Sequence, residues 1–146
     1  MTPLRRASIL LAALTIPIAL LAPWTHVIDT GLCISPPCDP PRDLAVPGYV
    51  SGGIATAGIL LVGTLVLWLV PKEAWGLSLG GLLLAVAASI GFTHPLWPSI
   101  VIFGHEGGPA WGSITTGVLS TAALALAVAE GVRAKRRAAD GVTPTQ

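Results

Sequence analysis

The sequence predicts an all-α protein: a four-helix transmembrane bundle with both termini in the cytoplasm and a Pro-rich, disulfide-tied loop on the other side. Composition is the first reason, since 53% of the 146 residues are hydrophobic and only 10% are charged. A soluble domain carries roughly 25% charged residues. The second reason is that four apolar stretches contain no Lys, Arg, Asp or Glu, and the third is the placement of the basic residues around them.

The four charge-free stretches cover residues 7–23, 49–70, 75–92 and 111–129. With short extensions they are long enough to be membrane-spanning helices, which need roughly 20 apolar residues each. The predicted spans cover about residues 7–28, 49–70, 75–92 and 111–132, followed by a basic and then disordered cytoplasmic tail, 133–146. Pro17 predicts a kink in the first helix, because proline removes a backbone donor. Leu20 and Pro23 would make a poor signal-peptide cleavage site around Ala22, so we expect a retained helix.

Basic residues define the expected topology. If all four stretches span, seven of the eight share one face: Arg5, Arg6, Lys72, Arg133, Lys135, Arg136 and Arg137. Only Arg42 falls on the other face, and the positive-inside bias then makes the basic face cytoplasmic. The basic tail can attract anionic headgroups at roughly 1 kcal/mol per charge, but its role as a topology signal suffices to explain it. Nucleic-acid binding is not expected.

The tryptophans support the same spans. All five fall at or near a predicted membrane interface: Trp24, Trp68, Trp75, Trp97 and Trp111. An amphipathic indole ring fits the headgroup level, so we interpret these residues as interface anchors.

The first outer loop is rich in proline and contains the only two cysteines, Cys33 and Cys38. Proline excludes a long helix here and indicates an extended, turn-rich cap. Outside the cytoplasm the two thiols would be oxidised, so the main prediction is a structural disulfide. The chain-entropy model assigns such a short loop roughly 2 kcal/mol of stabilisation.

The helix topology resembles that of bacterial quinone-linked disulfide-bond-forming proteins and of vitamin K epoxide reductase-like proteins. Both families use a Cys-x-x-Cys motif, whereas Cys33 and Cys38 have four residues between them and the second outer loop has no cysteine. The resemblance therefore extends to topology and implies no redox residues here. The outer-loop cysteine pair resembles claudin-like tetraspans in architecture only.

Three histidines, His26, His94 and His105, lie on the predicted outer side, and Glu106 follows His105. Imidazole and carboxylate groups are suitable ligands for Zn or Cu. His94, His105 and Glu106, with His26 as a further ligand, are therefore a candidate metal site. No histidine pair has the helical spacing of a strong metal motif, and interfacial histidines bonded to loop backbone are the simpler interpretation.

Small residues recur at every fourth position of the fourth helix: Ser113, Gly117, Thr121, Ala125 and Ala129. Such a stripe lets another helix backbone approach closely. Packing within the four-helix bundle explains it, and contact with another subunit is the alternative.

The spans offer hydroxyls but no mid-membrane charge, and transporters usually carry one. We therefore expect a non-enzymatic accessory or structural subunit of a cytoplasmic-membrane complex, without a cofactor. The alternative is an outer-face metal-binding or redox protein that uses Zn or Cu at the histidines. An oligomeric pore is a third possibility. Expected partners are the lipid bilayer and either another membrane protein or a second copy. Small size and the complete absence of Asn, hence of glycosylation acceptors, favour a bacterial origin.

Overall fold

Four helices follow one another along the chain, in agreement with the all-α prediction. The computed structural model describes residues 1–29, 42–70, 74–93 and 107–139. The helices are α1 (Pro3–Leu21), α2 (Gly53–Leu69), α3 (Ala74–Thr93) and α4 (Trp111–Ala139). Each packs against the next, and α4 packs back against α1, so the four form a closed ring.

The lengths and composition of the helices support a transmembrane protein. Three segments are long and apolar enough to cross a membrane, namely Pro3–Leu21, Gly76–Thr93 and Trp111–Arg137, and α2 is a shorter apolar helix of 17 residues. Large apolar side chains also point away from the bundle, among them Leu14, Leu61 and Leu82. A bilayer would cover this outward surface.

Helix α1 ends at Leu21, earlier than the predicted span, which ran to residue 28. Ala22 has an extended backbone (ψ 148°) and is followed by Pro23. Proline disfavours the helical conformation of the residue before it, so the helix stops at this point. Pro17 lies inside α1, and the helix continues through it to Leu21.

A small sheet, absent from the sequence prediction, caps the bundle next to the end of α1. Strands β1 (Pro23–Asp29), β2 (Arg42–Pro47) and β3 (Gly107–Pro109) are antiparallel in the order β2-β1-β3. β1 contains Trp, Thr, Val and Ile, residue types that favour strands. The end of the bundle that carries this sheet is called the sheet end below, and the opposite end is called the Arg5 end.

The helices approach closely because small residues occupy their contacts. The buried core combines Ala12, Ala19, Ala57, Ala87, Ala123 and Ala127 with Leu60, Leu67 and Leu84. A Cβ added at Gly91 of α3 would lie 2.6 Å from the backbone nitrogen of Gly117 in α4. This contact leaves no space for a side chain at Gly91, so these two backbones nearly touch.

Helix α4 continues to Ala139, beyond the predicted end of the span at residue 132. The basic residues of the predicted tail that precede Ala139 are therefore helical. Residues 140–146, which the sequence analysis expected to be disordered, lie outside the described residues.

Candidate functional site

The sheet end is built around the junction between α1, β2 and α2. The backbone amides of Gly48 and Tyr49 donate to the carbonyls of Ala22 (2.9 Å) and Leu20 (2.9 Å), at the end of α1. These carbonyls lack partners within the helix, and the turn after β2 therefore serves as a C-terminal cap. Gly52, in the left-handed region at φ +99°, lets the chain reverse into α2.

Trp24, one of the predicted interface anchors, is a core residue of this end. Its relative exposure is 0%. A Cβ at Gly48 would lie 2.7 Å from its indole nitrogen, so this glycine leaves space for the ring. The Trp24 carbonyl also accepts from the amide of Ala110 (3.0 Å), just before α4. The ring is buried because Trp24 belongs to a strand that crosses the bundle end.

The other predicted anchors divide between described and undescribed parts of the chain. Trp68 and Trp111 are each 58% exposed and lie near opposite ends of their helices, where a headgroup interface would meet them. Trp75 is the second residue of α3. Trp97 lies outside the described residues.

The candidate metal ligands are described only in part. His26 is half-buried at the centre of β1, where it pairs with Ala45 of β2 and Gly108 of β3. Glu106 immediately precedes β3 in the sequence, but His94, His105 and Glu106 all lie outside the described residues, as do Cys33 and Cys38. Among the residues that are described, no group of three His, Cys, Asp or Glu could hold a metal ion.

The stripe of small residues on α4 divides between two surfaces. Ser113 and Gly117 are buried and lie against α3 near Gly91, whereas Thr121 and Ala125 are exposed and Ala129 is intermediate. A spacing of four exceeds the helical repeat of 3.6 residues, so the stripe turns steadily around the helix. Its first half therefore packs inside the bundle, and its second half faces outward.

The Arg5 end contains a buried charged group that the sequence analysis placed only on a basic face. Arg5 is 4% exposed. Its guanidinium donates to the carbonyls of Leu67 (Nε, 2.7 Å) and Val70 (Nη2, 2.7 Å), at the end of α2. Glu130 of α4 interacts with it electrostatically. One side chain thus connects α1, α2 and α4 and caps the unpaired carbonyls of α2.

A sequence signal for the burial of Arg5 does exist. The buried residues of α1 are Arg5, Ser8, Ala12, Thr15 and Ala19, at alternating intervals of three and four. This spacing places all five residues on one face of the helix, so Arg5 extends the buried stripe that the four smaller residues form. Arg6 lies off that stripe and is exposed.

Hydroxyl groups occupy the core between the two ends. Ser8 donates to the carbonyl of Ala123 in α4 (2.8 Å), and Thr15 donates to Leu11 within its own helix (2.7 Å). Thr56 and Ser120 are both fully buried, and their hydroxyl oxygens have no hydrogen-bond partner among the described residues. Such groups are uncommon in native proteins, since an unsatisfied buried hydroxyl is costly.

Arg5 is the one buried charged residue among those that the structure describes, and its guanidinium bonds to the end of α2. Searches of known proteins add no assignment: no family model, no curated protein and no solved structure matches this chain.

Proposed function

We propose that this chain is a non-enzymatic accessory or structural subunit of a protein complex in a bacterial-type cytoplasmic membrane. The observation that carries this proposal is the way Arg5 is used. Buried charges inside membrane proteins commonly mark substrate paths or proton relays. Here the guanidinium is bonded to the carbonyls of Leu67 and Val70 and interacts electrostatically with Glu130, and these interactions hold helices together.

The outward faces of the helices support a role in assembly. Gly58 of α2 is exposed, and a Cβ placed there would meet nothing within 4 Å. Ala55 on the same helix and Thr121 and Ala125 on α4 are also exposed small residues. A helix of a partner could approach these positions closely, because no large side chain separates the backbones.

The proposed orientation places the Arg5 end in the cytoplasm, with both termini there. Arg5 and Arg6 begin α1 at this end, and the basic residues of α4 end there, whereas Arg42 begins β2 at the sheet end. This distribution follows the positive-inside bias. Labelling of single cysteines introduced at residues 2 and 139 tests it in intact cells, and labelling from outside would contradict it.

The test of the proposed role is purification of the tagged chain from native membranes in a gentle detergent. We expect one or more membrane proteins to co-purify at fixed stoichiometry. Gly58→Leu and Ala125→Leu should release them without unfolding the chain, because both positions are exposed. The control is Leu61→Phe, which replaces one large, exposed apolar side chain of α2 with another. Thr64→Leu would not serve, because Thr64 is half-buried. A monomer without partners would contradict the proposal.

An outer-face metal or redox site is the alternative function, and one observation favours it. The pairing of His26 with Gly108 brings β3, and hence the chain next to Glu106, beside a half-buried imidazole. Zn and Cu contents of the purified protein test this alternative. Stoichiometric metal that is lost in His26→Ala, His94→Ala or His105→Ala would support it, whereas metal-free protein would exclude it.

A further inference from the structure

Helix α4 projects well beyond the described ends of α1 and α2 at the Arg5 end. The hydrogen bond from Ser8 to the carbonyl of Ala123 sets the register between α1 and α4. Pro3, the first residue of α1, lies five residues before Ser8 and is therefore level with about residue 128 of α4. At a rise of about 1.5 Å per residue, the part of α4 that follows extends about 16 Å further.

This projecting segment carries four cations: Arg133, Lys135, Arg136 and Arg137, which are all exposed. Residues 133–137 are called the basic extension below. Glu130 is the only acid at this end among the described residues, and it interacts electrostatically with Arg5. Arg133 lies three and four residues before Arg136 and Arg137, so these three charges share a helix face and repel one another.

The depth of the basic extension matches a headgroup layer. From Trp111 to Glu130, α4 rises about 28 Å, close to the roughly 30 Å thickness of the hydrocarbon core. Each headgroup layer adds about 5–8 Å. Arg133 and Lys135 lie about 4.5 and 7.5 Å beyond Glu130 along the helix, within this layer, and Arg136 and Arg137 lie about 9 and 10 Å beyond Glu130, just outside it. Side chains of α4 lean toward its N-terminus and hence back toward the headgroups, so all four cations can reach lipid phosphates.

Arg6 adds a fifth cation near this layer. It is exposed near the start of α1, and helical side chains lean toward the N-terminus, which here is the Arg5 end. A long basic side chain can thus reach the headgroups while its aliphatic part remains in the hydrocarbon.

We propose that the basic extension binds anionic phospholipid headgroups and thereby selects the lipids that surround this protein. Charge complementarity supports this occupant, since the cations lack carboxylate partners in the described chain and lie where phosphates are concentrated. A soluble acidic partner fits less well, because the charges begin within the headgroup layer and bulky phospholipids would occupy their surroundings. This proposal does not depend on the accessory role.

The experiment uses the full chain reconstituted in vesicles of phosphatidylcholine with one part in five of phosphatidylglycerol. Spin-labelled versions of both lipids report which lipid contacts the protein. We expect phosphatidylglycerol to be preferred by about fivefold, the factor that roughly 1 kcal/mol from one well-placed cation produces. The preference should weaken in 1 M salt, where the Debye length falls to about 3 Å.

Two matched variants separate charge from side-chain chemistry. In the neutral variant Arg6 and the four cations Arg133, Lys135, Arg136 and Arg137 are all changed to Gln, and we expect the preference to fall to about one. In the charge-retaining variant the four arginines of this set become Lys, and we expect the preference to persist. Circular dichroism and elution volume establish that both variants keep the native helix content and size.

Three outcomes would overturn the proposal. The first is equal contact of both lipids with the wild-type protein, which would leave the basic extension as a topology signal or as a site for a soluble acidic partner. The second is an undiminished preference in the neutral variant. The third is a loss of preference in the charge-retaining variant, which would indicate a guanidinium-specific site and not headgroup attraction.

Discussion

The two ends of the bundle are held together by different interactions. At the sheet end, backbone meets backbone: Gly48 and Gly53 both lie against the carbonyl oxygen of Ala19, and turn amides cap α1. At the Arg5 end, one long side chain crosses the space between helices and caps α2. The sheet end therefore requires residues without a side chain at positions 48 and 53, whereas the Arg5 end requires the charged side chain of Arg5.

The difference arises because the unpaired carbonyl groups at the ends of α1 and α2 have different hydrogen-bond donors beside them. Both α1 and α2 end with carbonyl groups that lack helical partners. The chain continues from β2 into a turn beside the end of α1, so backbone amides are available there. Beside the end of α2 the partner is instead the side chain of Arg5, which supplies several donors in a planar fork. Each end should respond to a different class of mutation.

Removal of the Arg5 side chain should have the largest effect. In Arg5→Ala the carbonyls of Leu67 and Val70 lose their donors and Glu130 loses its cation. Hydrogen bonds to charged groups contribute about 1.5–3 kcal/mol each, so we expect a loss of roughly 3 kcal/mol in the free energy of unfolding. Denaturation by increasing SDS in mild detergent micelles measures this quantity.

The neighbouring Arg6→Ala variant is the matched control for Arg5→Ala. Arg6 is exposed, and its removal should change stability by less than about 0.5 kcal/mol. Arg5→Lys should recover only part of the loss, because an ammonium cannot reproduce the planar fork of the guanidinium. Equal effects of the two alanine variants would show that Arg5 does not join the helices.

At the sheet end, Gly53→Ala should be the damaging change. The new Cβ would collide with the carbonyl oxygen of Ala19 and lie 2.7 Å from the Gly48 carbonyl group. Overpacking against backbone costs about 1–3 kcal/mol, so the free energy of unfolding should fall by about 2 kcal/mol in the same SDS assay.

Gly58→Ala, on the same helix, separates that collision from helix propensity. Nothing lies within 4 Å of a Cβ at Gly58, and alanine is favoured over glycine in a helix by up to about 1 kcal/mol. This variant should be as stable as the wild type or more so. If both glycine variants lost stability equally, close backbone packing would not be the cause.

The contact between α3 and α4 offers a test in the next pair of helices. Gly91→Ala should destabilise by about 1–2 kcal/mol, because its Cβ would lie 2.6 Å from the nitrogen of Gly117. Gly81→Ala, also on α3, would place its Cβ at an ordinary 3.6 Å from Leu124 and should be neutral or stabilising. If Gly81→Ala unfolded at a lower SDS concentration than Gly91→Ala, the close approach of α3 and α4 would be contradicted.

The smallest expected effect concerns the hydroxyls between the ends, and its sign is favourable. Thr56 is fully buried, and no group in the described part of the chain bonds to its hydroxyl; burial of an unpaired hydroxyl costs about 1–3 kcal/mol. Thr56→Val should therefore raise stability by about 1 kcal/mol. Thr15→Val is the matched control, because the Thr15 hydroxyl bonds to Leu11 and its loss should be nearly neutral. Destabilisation by Thr56→Val would reveal a partner, such as a buried water.

Sequence patterns predicted the four helices well and their ends less well. A charge-free apolar run of about 20 residues favours a helix in a bilayer, because a helix satisfies the backbone hydrogen bonds within the segment. The predicted first span nevertheless ran on to residue 28, because Trp24, Val27 and Ile28 suit a membrane helix as well as a strand. Pro23 was the available signal, since it ends α1 after Leu21.

The candidate site was less accessible to sequence reasoning. The every-fourth stripe from Ser113 was visible, but which half of it faces α3 depends on how α4 is rotated in the bundle. Arg5 and Arg6 are indistinguishable by type, and only the three-four spacing with Ser8 assigns one of them to the interior. The metal-ligand and disulfide predictions at His94, His105, Glu106, Cys33 and Cys38 concern residues beyond those described and remain predictions.

The sequence by itself determined that the chain has four apolar helices and that its cations lie mostly to one side of them, because hydropathy and charge are properties of composition and order alone. Only the tertiary structure decided that Trp24 is covered by the sheet end, that Arg5 bonds to the end of α2, and that α4 projects past its neighbours. Those outcomes depend on which helix faces which and at what register, and contacts between residues distant in sequence set both. Arg5 and Leu67, which are 62 positions apart, are such a pair.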